Sequence, residues 1–369
     1  MGTRTAVVQD WFFTPGGSEE VAVELAGLLP GSEIITSFME PEYRRRLAGH
    51  SIRTWPFQRL FGPTRRYRSF LPIYPLWFGG LDLRDRDLVI SSSVAFSHAV
   101  RTRPGATHIS YVYTPLRYAW DLDTYLDRSS FSLPARLGAR VLRPALRRWD
   151  RSTANRPDVV VAISKTVQER IRRLWGRDAE VLYPAVDVDE IGPSTQDDGY
   201  LLIAARMLAY RRIDLAVQAA SRLGRELVLI GDGPERRHLE ALAGPTVRFM
   251  GRVDRSTLVD AIRRCHAYLV PGIEDFGIAP VEAMAAGKPV IAIAAGGAAE
   301  TVIDGKTGIL FQQATAEALS EAILASDGTT FDPAVIRARA EEFSTTAFRD
   351  AWRALFARLG VDPSLYSPR

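Results

Sequence analysis

Two doubly wound α/β domains facing a cleft are what this sequence predicts, and three observations lead there. Short continuous apolar runs alternate with helical patterns, a proline- and acid-bearing break divides them into two sets, and 369 residues are comfortable for two domains. Continuous apolar strands suit parallel sheets covered by helices on both faces, because neither face of such a strand meets water.

In the first half, residues 5–9, 33–36, 87–91, 108–112 and 159–163 read as strands; in the second half, 200–204, 227–230, 247–250, 267–270 and 290–293 do the same. Between them the segment 183–199 carries Pro184, Pro193, Ser194, Asp197 and Asp198 and reads as the linker. The last amphipathic pattern, 343–359, reads as a helix. The expected division is 1–190, 191–343 and a terminal segment 344–369. Ligands of such sheets sit outside the carboxyl ends of the strands.

Composition fits a soluble globular enzyme, with 46% apolar and 24% charged residues, and no window approaches the 18 apolar residues of a membrane span. The opening apolar residues Ala6, Val7 and Val8 are too few for a signal peptide and read as a strand. Cys265 is the only cysteine, so no intrachain disulfide can form, which fits a reducing cytoplasm. Charge is uneven: residues 1–193 hold 27 basic and 21 acidic side chains, and the remainder 20 and 22.

The stretch EDFGIAPVE sets Glu274 and Glu282 eight positions apart. Gly272, Gly277 and Pro280 enforce a loop, residues 279–286 read as a helix, and Glu282 falls near its start. Amides freed at that start favour an anion such as a diphosphate, and Gly277 lets backbone approach it. A carboxylate beside that anion can accept hydrogen bonds from sugar or ribose hydroxyls. The plain alternative is a solvated loop acid and an acid stabilised by the helix dipole.

This segment resembles the Glu-x7-Glu signature of the retaining glycosyltransferases of family four, a GT-B-fold group that transfers sugars from nucleotide diphosphates. The match runs in order from the Gly16–Gly17 loop to the final helix, which resembles the GT-B helix that crosses back to the first domain. The resemblance implies donor contacts from Glu274, Phe276, Gly277, Ile278 and Glu282, with Glu274 on sugar hydroxyls and Glu282 on the ribose. In AARMLAYRRID, Arg206 and Arg211 follow a strand and place two cations where the diphosphate would enter. Family four carries an arginine and usually a lysine here, and Arg211 stands at the lysine position with Arg212 beside it. Gly231 and Gly233 resemble the family's GDGP loop, and Arg252 and Val253 match the place where the nucleobase rests. Gly16 and Gly17, before a helix that Ser18 can cap, match the glycines that bring amides to the donor phosphate.

The stretch YVYTPLRYAWD is similar to a subgroup in which mannosyl or related transfers build bacterial polysaccharides and glycolipids. That subgroup usually has histidine where Tyr113 stands. Tyrosine is no easily protonated base near neutral pH, so either Tyr113 serves as a hydroxyl partner or acceptor chemistry differs. Arg117 and Asp121 are acceptor-side candidates, with core and turn roles as the alternative. The implied chemistry is retention, by front-face attack of an acceptor deprotonated by the leaving phosphate, with Glu274, Arg206 and Arg211 as its catalytic groups.

No cofactor is implied. Asp-x-Asp triplets, which hold the metal in GT-A glycosyltransferases, occur at Asp85/Asp87, Asp121/Asp123 and Asp187/Asp189, a number that chance nearly supplies. The arginine pair offers positive charge instead, and no catalytic metal is expected. The implied partners are a nucleotide diphosphate sugar, guanosine diphosphate mannose first and a UDP-sugar second, and a glycan or lipid-linked acceptor. Arg44, Arg45, Arg46, Arg53, Arg59, Arg65, Arg66 and Arg68 interleave with Trp55, Phe57, Phe61, Tyr67 and Phe70, while Arg136, Arg140, Arg143, Arg147 and Arg151 form one helical face. Both suit an anionic membrane surface, the alternative being a solvated basic face over buried aromatics. The expected place is thus the cytoplasm, including the inner face of the membrane. A non-catalytic nucleotide or nucleic-acid binder explains the basic half but has no use for Glu274, Arg206 and Arg211 in one cleft.

Overall fold

The computed structural model describes residues 4–13, 16–61, 70–122 and 133–367. The described residues divide into two compact units, one running over 4–122, 133–183 and 348–367, the other over 184–347.

The first unit holds a parallel sheet of seven strands: β1 (Thr5–Gln9), β2 (Glu33–Thr36), β3 (Ser51–Thr54), β4 (Leu88–Ser93), β5 (Thr107–Val112), β6 (Val159–Ala162) and β7 (Glu180–Val181). Their order is β3-β2-β1-β4-β5-β6-β7, so the winding reverses between β1 and β4. The second unit holds six parallel strands: β8 (Leu201–Ala204), β9 (Leu227–Ile230), β10 (Val247–Gly251), β11 (Ala267–Val270), β12 (Val290–Ile293) and β13 (Gly308–Phe311). Their order is β10-β9-β8-β11-β12-β13, with the reversal between β8 and β11. All ten strands expected from the sequence are present to within about two residues at either end. The three that were not expected, β3, β7 and β13, all lie at sheet edges, where one side of the strand needs no apolar cover. In β3 the residues Ser51 and Arg53 are exposed, and β7 has only two residues, so neither makes an apolar run.

The core of the first unit is unusually aromatic. Trp55 is 3% exposed and packs on Phe57, Phe70, Tyr74 and Trp77 with ring centroids 4.7 to 5.7 Å apart. This corrects the membrane expectation for Trp55, Phe57 and Phe70: burying rings of this size removes more apolar area from water than any other use of them. The side chain of Phe61 and residues Arg65, Arg66, Tyr67 and Arg68 lie outside the described residues. Residues from Phe348 onward belong to this unit, where the fully buried Trp352 meets the Tyr111 ring edge-on at 5.6 Å. The Tyr111 hydroxyl donates to the Leu182 carbonyl at 2.9 Å.

The helix Leu133–Thr153 turns much of its expected basic face inward. Arg143 and Arg147 donate to the Ala119 carbonyl at 3.1 and 2.8 Å, Arg151 donates to Leu174, and Arg147 and Arg151 lie over the Trp120 ring. Arg140 and Arg148 are exposed beside the exposed Leu137, Val141 and Leu142, and the side chain of Arg136 lies outside the described residues. From the same helix the buried Asp150 accepts both the Trp120 and the Trp175 indole N–H at 2.6 Å on one oxygen. Burial pushes its carboxyl up to about 6, against those two donors.

Candidate active site

In the second unit the reversal between β8 and β11 opens a crevice at their carboxyl ends. The loop after β8 runs into a 3₁₀ turn, Ala209–Arg211, and the loop after β11 carries Glu274. Strand adjacency therefore brings the two loops together, and Arg211 Nη1 donates to Glu274 Oε1. Gly272 permits the approach, since a Cβ there would lie 2.5 Å from the Arg211 carbonyl carbon. Burial works against the Arg211 charge, but the Glu274 carboxylate together with the Tyr210 and Tyr268 hydroxyls outweighs it and holds the guanidinium pKa above its ordinary value. The Arg211 Nε is buried and has no hydrogen-bond partner among the described residues. Arg212, next along, is the one non-glycine among the described residues with positive φ, at 49°. A left-handed residue there costs about 1 kcal/mol, a strain tolerated where the turn must aim Arg211.

Glu274 is fixed from the other side as well, because its carbonyl accepts the Gly297 N–H at 2.8 Å. Gly277, at φ 94°, starts the helix Ile278–Ala285. Phe276 spends its ring on Phe343, 5.6 Å away, so its part in the loop is backbone. Glu282 lies in the second turn of that helix rather than near its start, 7% exposed, with Oε1 2.7 Å from Arg255 Nη1. Burial raises the Glu282 carboxyl pKa and Arg255 opposes the rise.

Arg206 is exposed on the same β8 loop and makes no hydrogen bond or ion pair among the described residues. Gly231 and Gly233 brace that loop: a Cβ on Gly231 would lie 2.1 Å from the Ala205 carbonyl oxygen, and one on Gly233 2.2 Å from that of Met207. Their glycine identity is thus already required by packing. Arg252 is exposed and Val253 half-buried, just before Asp254, which caps the helix Arg255–Arg264.

In the first unit Gly16 stands at the start of the helix Gly17–Leu28 with no side-chain cap. Ser18 is inside the first turn, so instead of capping it donates to Glu19 Oε2 at 2.7 Å. Tyr113, just past β5, shares a 3.2 Å hydrogen bond with Ser92 Oγ and donates to the Ser18 carbonyl at 3.2 Å. Its phenol pKa is raised by burial, so it acts as a hydroxyl partner that ties the Gly16–Gly17 turn to the end of β4. Arg117 lies half-buried in the short helix Arg117–Trp120, and Asp121 is exposed at its end.

Two buried acids near this turn were not picked out in the sequence. Asp10, directly after β1, accepts four backbone N–H groups from Val94, Ala95, Phe96 and Ser97 at 2.7 to 3.0 Å. Burial lifts its carboxyl to about 6 against those donors, and burial lifts Glu19 to about 7. An acid closing an apolar strand is a readable signal for the first; nothing local marks the second. Four of the Asp-x-Asp residues have structural partners: Asp85 pairs with Arg86, Asp87 with Arg4 and Arg103, Asp187 caps the helix Val188–Ile191, and Asp189 pairs with Arg337. Asp123 lies outside the described residues.

Two family models match in succession: residues 15–190 fit the one described as Glycosyltransferase Family 4, and residues 188–325 the one described as Glycosyl transferases group 1. The chain thus carries two successive glycosyltransferase family regions. Among curated relatives, the phosphatidyl-myo-inositol mannosyltransferase of Mycobacterium leprae is 30% identical over 202 residues, covering 50% of the chain and 53% of the relative. The GDP-mannose-dependent alpha-(1-6)-phosphatidylinositol monomannoside mannosyltransferase of Mycolicibacterium smegmatis is 28% identical over 215 residues, covering 50% and 55%. The chain thus spans about half the length of the curated relatives it matches. Anabaena HepE in complex with UDP and glucose superposes with a TM-score of 0.70 at 16% identity, covering 96% of this chain and all of that one, which establishes the shared GT-B fold.

Proposed function

We propose that this transferase moves a hexose, with mannose as the first assignment, from a nucleotide diphosphate sugar to a lipid-linked or glycan acceptor of cell-surface polysaccharide or glycolipid synthesis. The observation that carries the reading is the Arg211–Glu274 pair at the strand reversal of the second unit. A half-buried permanent cation suits a departing diphosphate, and the carboxylate beside it suits sugar hydroxyls. With Glu274 committed to Arg211, no carboxylate in this pair is placed as a glycosidase-type nucleophile, which supports front-face transfer with retention. Positive charge for the leaving group is assigned to Arg206 and Arg211.

GDP-mannose is the first donor because a relative's own description names it. A UDP-sugar with a small-molecule acceptor is the second reading, favoured by the UDP and glucose of the Anabaena neighbour. The acceptor is assigned to the first unit near Tyr113, Arg117 and Asp121, at an anionic membrane surface met by Arg140 and Arg148 beside the exposed Leu137 and Val141. No helix among the described residues is long and apolar enough to cross a membrane. Purified protein given GDP-mannose or UDP-glucose, with acceptor glycolipid in anionic or in neutral vesicles, should release nucleoside diphosphate and form a glycosylated lipid, faster with anionic vesicles. No release from any donor contradicts the transferase reading, and equal rates on both vesicles contradict the membrane assignment.

A further inference from the structure

We infer that Arg255 is a positioning residue that holds Glu282 for recognition of the donor's ribose; the inference rests on the donor-site reading above. Arg255 is the first residue of its helix, and the Asp254 carboxylate ahead of it accepts the Thr257 N–H at 2.8 Å, so the backbone that carries the guanidinium is fixed. That guanidinium is divided between two acids. Its Nε and Nη2 donate to Glu190 Oε2 at 2.9 and 2.6 Å, and its Nη1 lies 2.7 Å from Glu282 Oε1. Glu190 is itself placed by the short helix Val188–Ile191, where its N–H is taken by Asp187 Oδ1 at 3.0 Å.

Three consequences follow from this fork. It stands between two carboxylates that would otherwise repel, one of them on a side chain only 9% exposed. Its positive charge opposes the protonation that burial favours, and so favours the acceptor form of Glu282. And it engages only one oxygen: Glu282 has no other hydrogen-bond partner among the described residues, which leaves Oε2 for a ligand. A charged carboxylate with one open oxygen, held in one orientation, suits the vicinal hydroxyls of a ribose, both of which are donors. The loop that reaches Arg255 also carries Arg252 and Val253, so the base side and the ribose side of the donor site are set by one short stretch.

Arg255 would not touch the ribose itself, so its effect must appear as lost discrimination rather than as a uniform loss of binding. The test is calorimetric titration of GDP and UDP, each against its 2′,3′-dideoxy form, into wild type, Arg255→Met, Arg255→Lys and Glu282→Gln. Wild type should prefer the ribose form by about tenfold or more, the range of a hydrogen bond to a charged group. Arg255→Met and Glu282→Gln should both reduce that ratio to about threefold or less while leaving the dideoxy Kd within about threefold of wild type. Arg255→Lys should recover part of the ratio, because an ammonium can meet Glu282 without serving Glu190 as well. An unchanged ratio in Arg255→Met, or parallel weakening of both forms, overturns the inference and leaves the donor site standing. Failure of wild type to bind either nucleotide overturns the donor-site reading, and the inference falls with it.

Discussion

Replacing Glu274 by alanine is expected to lower turnover by about 10² to 10³-fold while nucleoside diphosphate still binds, the scale seen when one preorganised polar group is removed from a transition state. The reasoning starts from the division of labour in the pair. In the proposed reading Arg211 meets the diphosphate and Glu274 the sugar, and their hydrogen bond holds the two side chains together in the free protein. Removing the carboxylate leaves a half-buried guanidinium whose Nε has no partner among the described residues, so Arg211 becomes more available to an anion, not less. Nucleotide affinity should therefore stay within a few-fold or rise, and the loss should fall on kcat. Arg211→Ala should weaken both nucleotide binding and kcat, because it removes the cation needed in ground and transition states alike. Unchanged turnover of Glu274→Ala with nucleotide bound would remove the role assigned to it.

Asp150→Ala is expected to give the largest loss of stability among single changes outside the site, about 3–5 kcal/mol. One carboxylate oxygen takes two indole N–H groups, from Trp120 on a short helix and Trp175 on the helix Lys165–Trp175, and thereby pins both to the helix Leu133–Thr153. Alanine strands both donors in an interior where water cannot replace the acceptor. Asp150→Asn keeps an acceptor oxygen and should lose much less. The pH dependence gives a second reading. The folded carboxyl, pushed up to about 6, binds its proton more tightly than the unfolded one near 3.8, so between those values the native state holds more protons. Stability of wild type relative to Asp150→Asn should therefore rise as pH falls from about 6 to about 4. The buried His108, lowered to about 3 by burial, destabilises on acidification in both proteins and cancels in the difference, whereas His98, also lowered to about 3 by burial, has Nε2 3.7 Å from Asp150 Oδ1 and contributes to that difference. Urea unfolding at several pH values measures both effects; a loss under about 1 kcal/mol for Asp150→Ala would contradict the account.

The interior strands were legible because burial on both faces writes a continuous apolar run, as in Leu227–Ile230. Edge strands such as Ser51–Thr54 carry no such mark, since half their surface stays wet. Glu274 and Arg211 were legible from motif and strand position, and the topology explains why, as loops after adjacent strands must meet. Arg255 was not, because a helix-start arginine looks like any surface cation until its partners Glu190 and Glu282 are seen. The same limit applies to the basic helical face: spacing shows that arginines share a side, but not that Arg143 and Arg147 donate to the Ala119 carbonyl.

The most direct measurement is the thermal midpoint of the purified protein with GDP-mannose, UDP-glucose, GDP, UDP and the bare nucleosides, for wild type and Arg211→Ala. A ligand at a hundred times its Kd adds about 2.7 kcal/mol to the native state, a shift of several degrees. The account predicts that at least one nucleoside diphosphate sugar raises the wild-type midpoint, that the bare nucleoside does so far less, and that Arg211→Ala loses most of the shift. A flat wild-type response to every nucleoside diphosphate and its sugar would contradict it.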